Sequence, residues 1–339
     1  MSGESILPQR LLGNAAVTRS GKLTFCTMIA GIVYLFSMLF PFVAGAETVK
    51  ITGYRPMFKP CYNASGELQV AVRSYHADSV AFCLLVNPLT LEASTAGAAT
   101  LNFSKGISRD TLAATPFARA LKRYTSPPYR LQNHGVSRAD HPVAGLFLTV
   151  DMCPSKRPFE KELFVAAGRL PNRRGAVPLA VAMTGAWLKD HPDELAWLRR
   201  EIEDGRLAVT WVNHSLTHPY EPGVPLERNF LLKPGVEFDR EVLATEVLLL
   251  EKGLTPAPFF RFPGLVANGK LLERLRELSL IPLGSDAWLA KGEKPVDGSF
   301  ILVHGNGNEP KGIVRALPLL AGHEMRLLPL RMAIDGVAR

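Results

Sequence analysis

Two histidines four residues apart, His214 and His218, stand in the run Asn213-His214-Ser215-Leu216-Thr217-His218-Pro219. Side chains at i and i+4 of a helical turn face the same way, so both imidazoles can bind one zinc-like ion. Ser215 occupies the place of the glutamate in an H-E-x-x-H protease, which argues against that class. Ser215 and Thr217 offer hydroxyls as outer partners for the ring nitrogens. Other chemistry-bearing groups come at the ends of short apolar runs: Asp151 after 145–150, Arg261 after 259–260, Asp286 after 280–283 and His304 after 300–303. A carboxylate suits a general base, and a histidine titrating near neutrality suits a general acid. Trp187 and Tyr220 also follow strand ends and offer aromatic rings for stacking.

Residues this far apart in sequence can meet only if a regular scaffold gathers strand ends. From Ala144 the chain supplies one. Apolar runs at 145–150, 179–183, 207–212, 259–260, 280–283 and 300–303 alternate with helical stretches. The spacing predicts a helix over 192–204 with Leu195, Leu198 and Ile202 on one face and Gly205 as its stop. A second begins at Asp239 and ends near Gly253, and Asn268 caps a third reaching about Leu278. Such alternation implies an α/β fold, a parallel sheet or barrel with helices outside, whose functional groups collect on loops after the strands. Residues 47–140 read as a smaller N-terminal region: strands at 69–72 and 80–86, a small-residue loop at 93–100, and a helix over 112–124 ending at Ser126-Pro127-Pro128. His76, His134 and His141 are isolated and read as ordinary surface or core residues.

The segment 144–330 resembles the polysaccharide deacetylases of the NodB-homology type (carbohydrate esterase family 4). Leu148-Thr149-Val150-Asp151 is similar to the first motif, T-F-D-D-G-P, and His214-Ser215-Leu216-Thr217-His218-Pro219 to the second, H-S-x-x-H-P. Arg261-Phe262-Pro263-Gly264, Asp286-Ala287-Trp288 and Ser299–His304 resemble the third, fourth and fifth in the family's order. The resemblance implies a distorted (β/α) barrel and a metal-dependent hydrolase removing N- or O-acetyl groups from an acetylated polysaccharide. By it, Asp151 is the general base, His214 and His218 hold a divalent metal, zinc by expectation, and His304 is the general acid. Arg261 orients Asp151, Asp286 tunes His304, and Trp288 walls the acetyl pocket. The chain departs from the pattern twice. Met152 stands where the family has its second carboxylate, the metal's third protein ligand, and Gly305 replaces the Asp after the last His. A thioether is a soft, uncharged donor. The third donor is then Asp151, Cys153 or water, or else metal binding has been lost and the chain is a silent carbohydrate-binding protein. A different metal-dependent amidase or phosphoesterase is the remaining reading. The run Gly305-Asn306-Gly307-Asn308 suggests a flexible loop at the rim.

The 339 residues are 47% apolar and 21% charged, ordinary values for a folded protein. A formal net charge of +8 suits an acidic polymer or membrane surface, while no run of five Lys/Arg marks a nucleic-acid patch. Arg10, Arg19 and Lys22 precede the apolar run 23–42 and the small residues Ala44-Gly45-Ala46, as in a cleaved export signal or an uncleaved membrane anchor. Residues 1–46 are thus a targeting segment, 47–140 the N-terminal region and 141–339 the deacetylase-like domain, in a periplasmic or extracellular protein. Outside the cytoplasm Cys61 and Cys83 are the natural disulfide candidates, with Cys153 left over.

Overall fold

The computed structural model describes residues 49–338 apart from 105, 173, 174, 323 and 324. The expected signal or anchor at 1–46, with Cys26, lies outside the described residues. Among those described, no helix is long and apolar enough to cross a membrane.

An antiparallel sheet comes first, formed in order by β1 (Ile51–Tyr62), β2 (Leu68–Ala77), β3 (Val80–Val86) and β4 (Ala93–Gly97). β4 corrects the loop expected at 93–100: its small residues pair with β3 from Phe82 to Val86. The helix expected over 112–124 is two, α1 (Arg109–Ala113) and α2 (Pro116–Tyr124). Pro116 cannot continue a helix from within but starts one well, and Thr115 caps the new helix through the Ala118 N–H. Cys61 and Cys83 are free thiols, not a disulfide. They sit on β1 and β3, on opposite sides of β2, and face Gln69 and Ser74 of it, so their backbones lie at least about 10 Å apart, two strand spacings and beyond disulfide reach.

The alternating part of the chain then runs β5 (Phe147–Met152), α3 (Lys161–Gly168), β6 (Val177–Met183), α4 (Gly185–Asp190), α5 (Pro192–Glu203), β7 (Leu207–Asn213), α6 (Phe238–Glu251), β8 (Pro256–Phe260), α7 (Gly269–Glu277), β9 (Ile281–Pro282), β10 (Ala287–Trp288), β11 (Phe300–His304) and α8 (Pro310–Ala321). All seven strands from β5 onward are parallel, in the order β10-β11-β5-β6-β7-β8-β9. The two free edges, β9 and β10, are consecutive in the chain. Only residues 283–286 join them, so the edges cannot be more than about 17 Å apart. A sheet whose edges are tethered this closely must curl, and the α/β barrel-like fold expected from the alternation follows. The gap is partly closed by an extended strap at 132–139. Val136 pairs with Leu283 and Arg138 with Ser299. Gly135 (φ +126°) is required there, because a Cβ would meet the Pro282 carbonyl oxygen at 2.3 Å.

Side-chain alternation sorts the barrel strands into two layers. Leu148, Val150 and Met152 of β5 face outward into a core shared with Leu163 and Phe164 of α3 and Ile313 of α8. Phe147, Phe259 and Phe300 face inward and join a second core with Val70, Val72 and Tyr75 of β2 and Phe117 of α2. The N-terminal sheet therefore shares a core with the barrel, and the described residues form one compact unit. A fully buried ion pair adds to the join: Arg73 of β2 donates to both carboxylate oxygens of Glu246 on α6, at 2.7 and 2.9 Å.

Candidate active site

The inward face of β5 ends in Thr149, Asp151 and, just past the strand, Cys153. β11 pairs with β5 so that His304 lies directly beside Asp151, about one strand spacing away. The site thus begins as a consequence of register. Met152 points the other way: it is fully buried, and its sulfur fills the space where a Cβ on Gly305 would come within 2.7 Å. The two departures from the deacetylase pattern are in contact with each other, in the outer core and not at the site.

His214 and His218 follow β7, but the expected helical turn is absent. Residues 214–218 form an irregular turn with left-handed backbone at Ser215 (φ 72°) and His218 (φ 48°). Non-glycine residues pay for that conformation, and here the surroundings fix it. The Glu241 carboxylate of α6 accepts the Leu216 and Thr217 N–H groups and the Thr217 hydroxyl at 2.7–2.9 Å. The Asn213 side chain accepts the Ser215 N–H, and Gly185 of α4 approaches so closely that a Cβ would meet Leu216 Cδ1 at 2.5 Å. The Ser215 and Thr217 hydroxyls serve this turn and leave the ring nitrogens alone: Ser215 Oγ accepts the His218 N–H. His214 Nδ1 sits 2.7 Å from the Arg261 carbonyl oxygen, which fixes the proton on Nδ1 and leaves Nε2 as a lone-pair donor.

Arg261 leaves the end of β8 fully buried and reaches Asp151 at 3.3 and 3.5 Å and the Thr149 hydroxyl at 2.9 Å. Its Nε has no partner among the described residues. Asp151 and Arg261 are thus brought within ion-pair distance.

Asp286 does not reach His304. It precedes β10 and accepts the N–H of Phe300, four residues before His304 along β11, and it pairs with Arg138 of the strap at 2.7 Å. The two-residue strand β10 runs from Asp286 toward Trp288, and only Trp288 arrives at the site rim. The partner of His304 is Glu309, in the loop before α8. Its carboxylate lies 2.8 Å from His304 Nδ1, an ion-pair distance without in-plane hydrogen-bond geometry, and accepts the Trp288 indole N–H at 2.8 Å. That loop is not loose. Asn306 is buried and donates to the Cys153 carbonyl, Asn308 donates to that of Pro154, and Arg157 donates to that of Gly307.

Burial disfavours charge on His304, but Cys153, Glu309 and Asp151 outweigh it and hold the imidazole well above the ordinary histidine range. Burial would likewise raise the Cys153 thiol, and the facing His218, His214 and His304 instead hold it well below the ordinary thiol range. Burial pushes Glu309 up, against which His304 and the Trp288 N–H bring it down on balance.

Asp151, Cys153, His214, His218, His304 and Glu309 line one cavity of about 450 Å³. Trp288, Leu265, Phe230 and Tyr220 supply its apolar walls. Tyr220 is 60% exposed and stacks on Phe230 at 5.2 Å. Trp187, offered above as a stacking residue, is instead core, buried against His191. The donor atoms of Cys153, His214 and His218 lie within 4.8 Å of one another. One sulfur and two imidazole nitrogens are a donor set of the kind zinc takes at sites with an open fourth position, so the residues present fit a divalent ion.

A family model described as "RP012 protein N-terminal domain" matches residues 52–110, within the antiparallel sheet and α1. Among solved structures, the chain is similar to a family 4 carbohydrate esterase from Bacillus anthracis (16% identity, 68% of this chain and 95% of that one, TM-score 0.42). It is also similar to a family 4 carbohydrate esterase from Streptomyces lividans (20% identity, 55% and 93%, TM-score 0.37). A third is a family 4 pseudoenzyme, also from Bacillus anthracis (13% identity, 58% and 67%, TM-score 0.38).

Proposed function

We propose that this protein is a metal-dependent hydrolase that removes N- or O-linked acetyl groups from an exported or cell-envelope polysaccharide. One observation carries the reading: a carboxylate, a histidine-containing donor set and a carboxylate-paired histidine converge on a single cavity with aromatic walls. An ion held through His214 and His218 supplies Lewis acidity toward the acyl oxygen.

The chain's own groups do the rest. Asp151, aimed by Arg261, takes a proton from the attacking water as its oxygen adds to the acyl carbon. His304, with the Glu309 carboxylate 2.8 Å from its Nδ1, gives a proton to the departing amine or alkoxide as the carbon–nitrogen or carbon–oxygen bond breaks, and acetate leaves. Glu309 is the positioning residue for that imidazole. Trp288 and Leu302 face the cavity as apolar surface for an acetyl methyl, and Tyr220 offers an exposed ring on which a pyranose can stack. The targeting pattern within 10–46 supports a place outside the cytoplasm, where such polymers lie.

A silent carbohydrate-binding protein is the second reading, favoured by Met152 and Gly305 at positions where the deacetylase motifs carry carboxylates. Metal analysis followed by acetate release from acetylated glycans separates the two. Hydrolysis by the wild type and its loss in His304→Ala are expected. A protein that binds glycan, holds no metal and frees no acetate is the silent one.

A further inference from the structure

We propose that Cys153 is the third protein ligand of the metal centre, bound as a thiolate, and that it makes the centre selective for zinc-like thiophilic ions over manganese and magnesium. The inference rests on the metal-hydrolase reading and deepens it.

Three observations point to this residue. The first is direction. Alternation along β5 carries Thr149, Asp151 and Cys153 to the cavity, while Met152 is spent in the outer core against Gly305. The second is distance. Cys153 Sγ lies 3.5 Å from His214 Nε2 and 3.5 Å from His218 Nε2. Zinc–sulfur and zinc–nitrogen bonds of about 2.3 and 2.0–2.1 Å at tetrahedral angles put sulfur and nitrogen about 3.6 Å apart. Both edges of the cluster already have the length of a tetrahedral ligand edge. The third is commitment. Arg261 Nη1 reaches both oxygens of Asp151, whose Oδ2 approaches His214 Nε2 at 3.6 Å but stays outside the donor cluster, whereas Cys153 faces both imidazoles and is in no disulfide.

The thiol is also held in place. Its carbonyl accepts the Asn306 side chain at 2.7 Å, and the preceding carbonyl of Met152 accepts the Thr184 N–H and hydroxyl at 3.2 and 2.8 Å. A ligand whose backbone is fixed on both sides loses little entropy on coordination. Thiolate favours zinc and other soft or borderline ions, and oxygen donors favour manganese and magnesium, so one sulfur in three positions biases the choice.

Cobalt(II) titration of the metal-free full chain tests the assignment without reference to activity. The wild type is expected to develop a near-ultraviolet thiolate-to-cobalt charge-transfer band at one equivalent. Cys153→Ser is expected to lose the band and to bind zinc at least about 100-fold more weakly, beyond the 10–100-fold that loss of an outer-shell partner costs. Cys153→Asp is expected to keep an ion without the band and to narrow the preference for zinc over manganese. Cobalt bound by the wild type with no such band overturns the thiolate assignment and leaves the metal-hydrolase reading standing. No bound ion at all overturns that reading, and this one with it.

Discussion

Replacing Glu309 with Gln should separate the two carboxylates that compete for the role of partner to His304. The substitution keeps shape and leaves an amide oxygen for the Trp288 indole N–H, so the rim should hold. What it removes is the negative charge 2.8 Å from His304 Nδ1. Two unit charges 4 Å apart interact by about 4 kcal/mol at an effective dielectric of 20. Glu309 is 30% exposed, so solvent takes part of that. A loss of about 10–100-fold in kcat, about 1.4–2.7 kcal/mol in the barrier, is the expectation. The direction of the pH effect also follows. His304 must be protonated to act, and withdrawing the negative charge beside its Nδ1 moves the alkaline limb of kcat to lower pH. Acetate release across a pH series reads both effects. Asp286→Asn, which keeps an acceptor for the Phe300 N–H, should leave the limb where it is. Should Asp286→Asn shift the limb while Glu309→Gln does not, the partner assignment is wrong.

Other substitutions probe the scaffold. Met152→Asp puts a carboxylate into the fully buried outer core, not toward the ion; urea unfolding should show a loss of several kcal/mol, with no gain in metal affinity. Gly305→Asp, which restores the residue of the deacetylase motif, meets Met152 and Val150 within 2.8 Å and should cost about 1–3 kcal/mol in overpacking alone. Glu246→Leu strands the buried Arg73 guanidinium and should destabilise by about 3–5 kcal/mol, most of it recovered when Arg73→Leu is added. Tyr220→Ala should raise KM for an oligosaccharide roughly 3–10-fold, as loss of about 0.5–1.5 kcal/mol of ring stacking implies, with kcat little changed.

Much of the barrel was legible because parallel strands buried on both faces read as continuous apolar runs, and Phe147–Met152 and Val177–Met183 are buried throughout. Strand ends then located Asp151, His214, Arg261 and His304. The failures have physical causes. β1 was invisible because its pattern Ile51–Tyr62 is largely exposed and carries Pro56 and Pro60, and β4 because small residues look like loop. Asp286 misled because a two-residue strand gives no clue to which of its ends faces the site. Glu309 was missed because Gly305-Asn306-Gly307-Asn308 reads as slack chain, whereas its order comes from side-chain bonds to carbonyls of the 153–157 segment and from Arg157 to Gly307. The two histidines do come together, but not on the helical turn that the spacing suggested. Their convergence depends on Glu241 and Gly185, which lie outside the motif. Cys153 was detectable through one signal, the alternation that sends residue 153 to the same side as Asp151.

The central claim is a shared ion flanked by Asp151 and His304. Crystals of the full chain grown with zinc, measured at the zinc absorption edge, test it directly. The account predicts one strong anomalous peak in the cavity, within about 2.0–2.3 Å of His214 Nε2, His218 Nε2 and Cys153 Sγ, with Asp151 and His304 on either side. An empty cavity at saturating zinc, or a peak held elsewhere while these side chains stay apart, would contradict it.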